Sequence, residues 1–299
     1  MKECELYKKE KKKKVRCLAC SHKCLIADGN VGICGVRKNI GGKLFLLVYG
    51  KLISLAVDPI EKKPLYMFLP NTYSFSIATV GCNFKCDWCQ NSDISQASKG
   101  KEGAIIGKEF FPFEIVSLAA QNKCASIAYT YTEPVIASEF YRETCEIARG
   151  KGLRNVFVTN GYFTKESLDY FDYMKDESLI DAMNIDLKMF NEKAYLKYCG
   201  ARLNPVLETI KRAWKKGIHI EITTLIIPGI NDSCSELKKI AKFIFSVDGK
   251  GEIAWHISRF FPRYKFEDGK HATTPLETLK MAEEIGKKAG LSNVFIGNL

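Results

Sequence analysis

An α/β fold built on a parallel sheet is predicted by two features of this 299-residue chain. Seven short apolar runs recur from Tyr73 onward: "SFSIATV", "ASIAYTY", "NVFVTN", "DAMNIDLK", "IHIEITTLII", "EIAWHIS" and "NVFIGN". Helix-period stretches separate them, the alternation expected of a parallel sheet with helices outside. Polar residues also gather where the runs end, at Thr130–Glu133, Thr159–Asn160, Asp186–Lys188, Thr223–Thr224 and His256. A (β/α) barrel and a doubly wound sheet both build their sites at such ends, so periodicity fits the two equally.

The elements divide into a Cys-rich segment, residues 1–70, and the α/β region, residues 71–299. Met1–Arg16 is Lys/Glu-rich and lacks the apolar core of a signal peptide. No window approaches the ~18 consecutive apolar residues of a membrane span. A cytoplasmic protein with no membrane partner is the expectation. The net charge is +11, with a Lys run in "YKKEKKKKVR". Only Tyr7 is interleaved there, so the run reads as a solvated, frayed terminus rather than a nucleic-acid arm.

"KLFLLVYGKLISLAV" (Lys43–Val57) alternates around Gly50 and predicts a hairpin. Pro59, Pro64 and Pro70 mark an extended linker after it. In "SELKKIAKFIF", Leu237, Ile240, Ala241 and Ile244 share one helical face. "TPLETLKMAEEIGKKAG" predicts a helix with a Thr274–Glu277 capping box, Pro275 at its first position and Gly290 at its end.

Twelve cysteines in a chain of this kind point to metal or redox chemistry rather than to a disulfide framework. Cys17, Cys20, Cys24 and Cys34 stand at C-x2-C-x3-C-x9-C, with an exposed His22 between them. Four thiolates suit a closed tetrahedral site, so a structural zinc is the first assignment; a second iron–sulfur cluster is the alternative. Cys124, Cys145, Cys199 and Cys234 read as small buried hydrophobes, with Cys199 in "YCGAR" the one exception to consider.

Cys82, Cys86 and Cys89 follow the first run at C-x3-C-x2-C with no fourth cysteine nearby. Four thiolates saturate a 4Fe–4S cube; three leave one iron open for a ligand, as a catalytic zinc keeps an open position. "CNFKCDWC", with Trp88 before the third cysteine, resembles the signature of the radical S-adenosylmethionine (SAM) superfamily. That resemblance implies a partial (β/α)6 TIM-like barrel. It implies that the open iron binds SAM, that reductive cleavage yields a 5′-deoxyadenosyl radical, and that a reducing partner such as flavodoxin or ferredoxin supplies the electron. Trp88 would pack on the cluster or the adenine.

The resemblance extends along the chain. "YTYTEP" stands where the superfamily often has Gly-Gly-Glu, so Glu133 would contact SAM's amino group while Tyr131 and Thr132 replace the glycines. Glu133 also suits a helix N-terminus on its own account. "VTNGY" and "NIDLK" resemble motifs of glycyl-radical-enzyme activases such as pyruvate formate-lyase activating enzyme. Asn160 would contact the ribose or carboxylate of SAM, Lys188 would neutralise the carboxylate, and Asp186 would order the site beside a monovalent cation. "AWHISRF" places His256 beside SAM by the same resemblance; a lone strand-end histidine is otherwise most simply structural. The N-terminal arrangement with "CQNSDISQ" and "VFIGN" is similar to the AmmeMemoRadiSam system subgroup.

Three functions follow. The first is hydrogen abstraction from a protein or peptide, in the manner of an activase. The second is radical SAM methylation or small-molecule chemistry, for which the dispersed cysteines after Cys89 supply no auxiliary cluster motif. The third, a non-catalytic zinc or nucleic-acid module, leaves the strand-end polar set unexplained.

Overall fold

A computed structural model describes residues 1–100, 103–174 and 177–299. Its central sheet holds β1 (Ser54–Pro59), β2 (Tyr73–Ala78), β3 (Ser126–Tyr129), β4 (Arg154–Thr159), β5 (Ala182–Asp186), β6 (His219–Ile226), β7 (Ala254–Arg259) and β8 (Val294–Gly297). Each of the seven apolar runs supplies one of β2–β8. The strands stand in sequential order, parallel from β2 to β8, with β1 antiparallel against β2 at the edge. Pro59 falls on that edge, where a missing N–H costs least.

Strand order decides between the two architectures the periodicity allows. A doubly wound sheet reverses its order at a switch point. Here every crossover steps the same way, and right-handed crossovers that never reverse lay all the helices on one face. The other face curls inward. Because β1 and β8 do not pair, the result is a partial barrel of the TIM-like type.

The outer helices include α1 (Pro112–Gln121), α2 (Ser138–Gly150), α3 (Leu203–Lys215), α4 (Cys234–Asp248) and α5 (Leu276–Lys288). In α4, Leu237, Ile240, Ala241 and Ile244 are all buried, as their spacing requires. The capping box expected for α5 does not form. Pro275 is the N-cap residue, and Thr274 is buried, its hydroxyl donating to Ile226 O and accepting from Phe260 N. Among the described residues no helix is long and apolar enough to cross a membrane.

The N-terminal segment is two small antiparallel sheets. The Lys run is exposed, but it is a hairpin turn rather than a frayed tail: Tyr7–Lys9 pairs with Val15–Cys17. The hairpin expected at Gly50 lies elsewhere. Arg37–Ile40 pairs with Lys43–Leu46 through Gly41 and Gly42, both at positive φ as a two-residue hairpin turn demands. After Gly50 the chain instead enters the barrel as β1. Arg37 fixes the segment to α2: it is buried, its guanidinium forks onto Glu139 at 3.0 and 2.5 Å, and its Nε donates to Ile136 O.

The proline linker, non-helical except for one 3₁₀ turn, closes the lower barrel. The backbone N–H groups of Tyr66 and Met67 donate to the buried Glu221 carboxylate, which also pairs with His219 (3.0 Å) and His256 (2.6 Å). Burial pushes this carboxyl's pKa up, but the histidines and backbone donors outweigh it and hold it at about 2. A depressed folded pKa contributes stability above the ordinary value of 4.5 and loses it as pH falls toward 2. Urea unfolding between those pH values should therefore show roughly 3 kcal/mol of pH-dependent stability that Glu221→Gln removes. An unchanged pH slope in the variant would contradict this role.

Candidate active site

The C-terminal ends of the barrel strands open on a cavity of about 470 Å³. The loop after β2 supplies Cys82, Cys86 and Cys89, and all three line it. The loop reaches this position through Gly81, at φ +98°, where a side chain would strike Val36 and the Cys34 carbonyl oxygen. The N-terminal segment thus braces the cysteine loop from behind. Ser98 Oγ donates to Cys34 O, and His22 Nε2 lies 2.9 Å from Asn83 O. His22, expected exposed, is half-buried against Phe84 and Tyr162. A π-helical turn, Tyr195–Cys199, holds the other flank: Lys85 N donates to Cys199 O and Asp87 N to Tyr198 O.

Hydrogen-bond donors stand beside Cys82 and Cys89. Phe84 N–H lies 3.4 Å from Cys82 Sγ, Asn160 Nδ2 lies 3.9 Å from the same sulfur, and Ser95 Oγ lies 3.2 Å from Cys89 Sγ. Asn83 Nδ2, beside Cys82, is buried without a partner among the described residues. Burial raises the pKa of Cys82, and of Cys89, above the ordinary thiol value. Thiolates there require a compensating cation. No group of three or more His, Cys, Asp or Glu side chains in the described residues is drawn around a single ion position. Cys82, Cys86 and Cys89 all line one cavity, as protein ligands of a cluster with an open corner would. The unpaired Asn83 donor fits the sulfur-rich surface such a cluster would present.

Glu133, Asn160, Asp186 and Lys188 line the same cavity, with Asn160 Nδ2 donating to Asn83 Oδ1 of the loop at 2.7 Å. Glu133 is buried and accepts from Val135 N, Thr159 Oγ1 and Asn160 N. A carboxylate has about four acceptor sites, so one remains. Desolvation outweighs these donors and pushes the Glu133 pKa up to about 7. Lys188 Nζ pairs with Asp186 at 2.8 Å, the place where the sequence suggests a monovalent cation. Trp88 is buried, lines the cavity, and packs on Tyr198 and Phe266.

His256 is not brought into this group. It lies below the cavity, on Glu221 and between the rings of Tyr66 and Phe295, as a satisfied structural histidine. Cys17, Cys20, Cys24 and Cys34 form a separate patch, three of them buried, in which each thiol senses others electrostatically. Cys4, outside both sequence clusters, joins them. Cys199 stands against Cys86 across the paired loops and is fully buried.

The chain belongs to the radical SAM superfamily, whose family model matches residues 76–244, from β2 into α4. It is similar to an uncharacterised protein of Methanocaldococcus jannaschii, 46% identical over 299 residues, which is 100% of this chain and 86% of the relative. A second protein of that organism, named provisionally as a glycyl-radical enzyme activating enzyme, is 28% identical over 73% of this chain and 78% of its own. A crystal structure of a radical SAM methyltransferase from Sphaerobacter thermophilus shares the fold with a TM-score of 0.59 at 14% identity, covering 77% of this chain and 67% of that one. The protein is a radical SAM enzyme, and the family implies a 4Fe–4S cluster and SAM as its cofactors.

Proposed function

We propose that the enzyme abstracts hydrogen from a protein or peptide partner, in the manner of a glycyl-radical activase. The observation that carries this reading is the meeting of Cys82, Cys86 and Cys89 with Glu133, Asn160, Asp186 and Lys188 on one cavity. The provisional name of the 28%-identical relative supports the activase class. When bound, the cluster would supply the electron that cleaves SAM. The chain's own residues would hold the reactants: the three cysteines the cluster, Glu133 the amino group of SAM through its remaining acceptor site, Lys188 the carboxylate, and Asn160 the ribose or carboxylate. A methyl-carrying cysteine, which a methylase reading would ask of Cys199, is not supported, because Cys199 is buried behind the loop and does not line the cavity. The N-terminal patch of Cys17, Cys20, Cys24 and Cys34 would hold a structural zinc only if its thiols, which are not drawn around one ion position among the described residues, closed in on the metal.

Glu133 gives this reading a pH signature. With its pKa near 7, the carboxyl of the SAM-free enzyme is about half protonated at neutral pH. Only the ionised form offers its full acceptor capacity to an amino N–H. SAM should bind about tenfold more weakly near pH 6 than near pH 8, and Glu133→Gln should flatten that dependence. Calorimetric titration of SAM into the cluster-loaded protein checks it. Equal pH slopes in wild type and variant would rule out the assigned contact.

A further inference from the structure

On the side of the cavity fed by the proline linker lies a second polar group. Lys63 is only 2% exposed, yet it lines the cavity with Asp58, Lys62 and Tyr131. Asp58 accepts from Lys63 at 2.7 Å, Lys62 at 3.1 Å and the Tyr131 hydroxyl at 2.5 Å. Lys63 Nζ also lies 3.3 Å from Tyr131 Oη and 4.6 Å from the centre of its ring. Tyr131 has φ +63°, a left-handed conformation that is costly for a bulky residue. Its carbonyl accepts from Asn91 Nδ2 of the cysteine loop. The strain therefore holds an aromatic ring and hydroxyl against Lys63 while tying its backbone to the metal-binding loop.

Stability alone does not account for this group, because a buried ion pair returns little against the desolvation of its charges. Around Asp58 one carboxylate faces two ammonium groups, while the rest of the lining sets Glu133 and Asp186 against Lys188, so the positive excess is local to this side of the cavity. Lys63 has three donors, of which Asp58 and Tyr131 take two. The Lys62 side chain is 70% exposed.

We infer that Lys63 and Lys62, positioned by Asp58 and Tyr131, form a subsite for an anionic group, carboxylate or phosphate, on the substrate. The inference rests on the radical SAM reading for the identity of the reaction, but the subsite's chemistry can be measured without turnover. Inorganic phosphate and succinate, with neutral succinamide as control, are titrated into cluster-loaded, SAM-bound protein and followed by calorimetry. Saturable binding of an anion, absent for succinamide and weakened about tenfold or more by Lys63→Met, is expected. The tighter of the two anions identifies the group as carboxylate-like or phosphate-like. Lys62→Met, at an exposed position, should weaken the same binding to a smaller degree and covers the case in which Lys63→Met fails to fold. SAM cleavage by dithionite is run in parallel on the wild-type protein. Loss of cleavage in wild type would strike the proposed reaction and leave the anion result standing. No saturable anion binding, or equal binding by wild type and both variants, would overturn the subsite.

Discussion

Cys86→Ala should leave a folded protein that cannot hold its cluster: iron after anaerobic reconstitution falls from about four per chain toward zero, and SAM cleavage disappears. Cys86 sits at the centre of the loop, between residues whose N–H groups are bonded to Cys199 O and Tyr198 O. Those bonds are made by the backbone and survive the substitution, so the loss is one of ligation rather than of loop structure. Two thiolates would remain for a cube that needs three from the protein. Cys20→Ala is the contrasting variant, since it lies in the N-terminal patch and should lose zinc and stability while retaining cluster iron. Measurement of iron, sulfide and zinc in both proteins separates the two sites. Iron loss in Cys20→Ala with zinc unchanged would show that the N-terminal cysteines hold a cluster instead.

Arg37→Ala should destabilise the whole protein by about 3–5 kcal/mol, because it leaves Glu139 charged, buried and without its partner. Arg37 is 1% exposed and Glu139 fully buried, and the same carboxylate accepts from Glu5 N at 3.2 Å. The pair joins the N-terminal sheets to α2, and the N-terminal segment in turn braces Gly81 and the cysteine loop. Denaturant unfolding should show the loss. Replacing both partners with apolar residues of similar size, Arg37→Met with Glu139→Leu, should recover much of it, since no uncompensated charge then remains. Equal destabilisation by the single and double variants would contradict the electrostatic origin.

Much of this architecture was legible in the sequence because it depends on local periodicity. The seven runs became β2–β8, and the apolar face of α4 fell where Leu237, Ile240, Ala241 and Ile244 put it. Barrel closure direction was not legible, since strand order is a long-range property. Glu133, Asn160, Asp186 and Lys188 were readable from their strand-end positions, which a barrel brings to one cavity. His256 has a similar position, but Glu221, on the neighbouring strand, captures its ring below the cavity. Thr274 resembles a cap, yet a longer-range bond to Ile226 takes its hydroxyl. Asp58, near the end of β1, and Lys63, in the linker after it, carry no periodic signal of a site, and only the fold shows that they face the cysteine loop's cavity. Gly41–Gly42 carried a stronger turn signal than Gly50, because two consecutive residues of positive φ are what the short hairpin needs.

The central claim is that three cysteines on an open cavity hold a cluster that acts on SAM. Anaerobically reconstituted protein, supplied with dithionite and SAM, tests it most directly. The expected result is 5′-deoxyadenosine and methionine in equal amounts, from a protein carrying about four iron and four sulfide per chain. A fully loaded cluster that leaves SAM intact would contradict it.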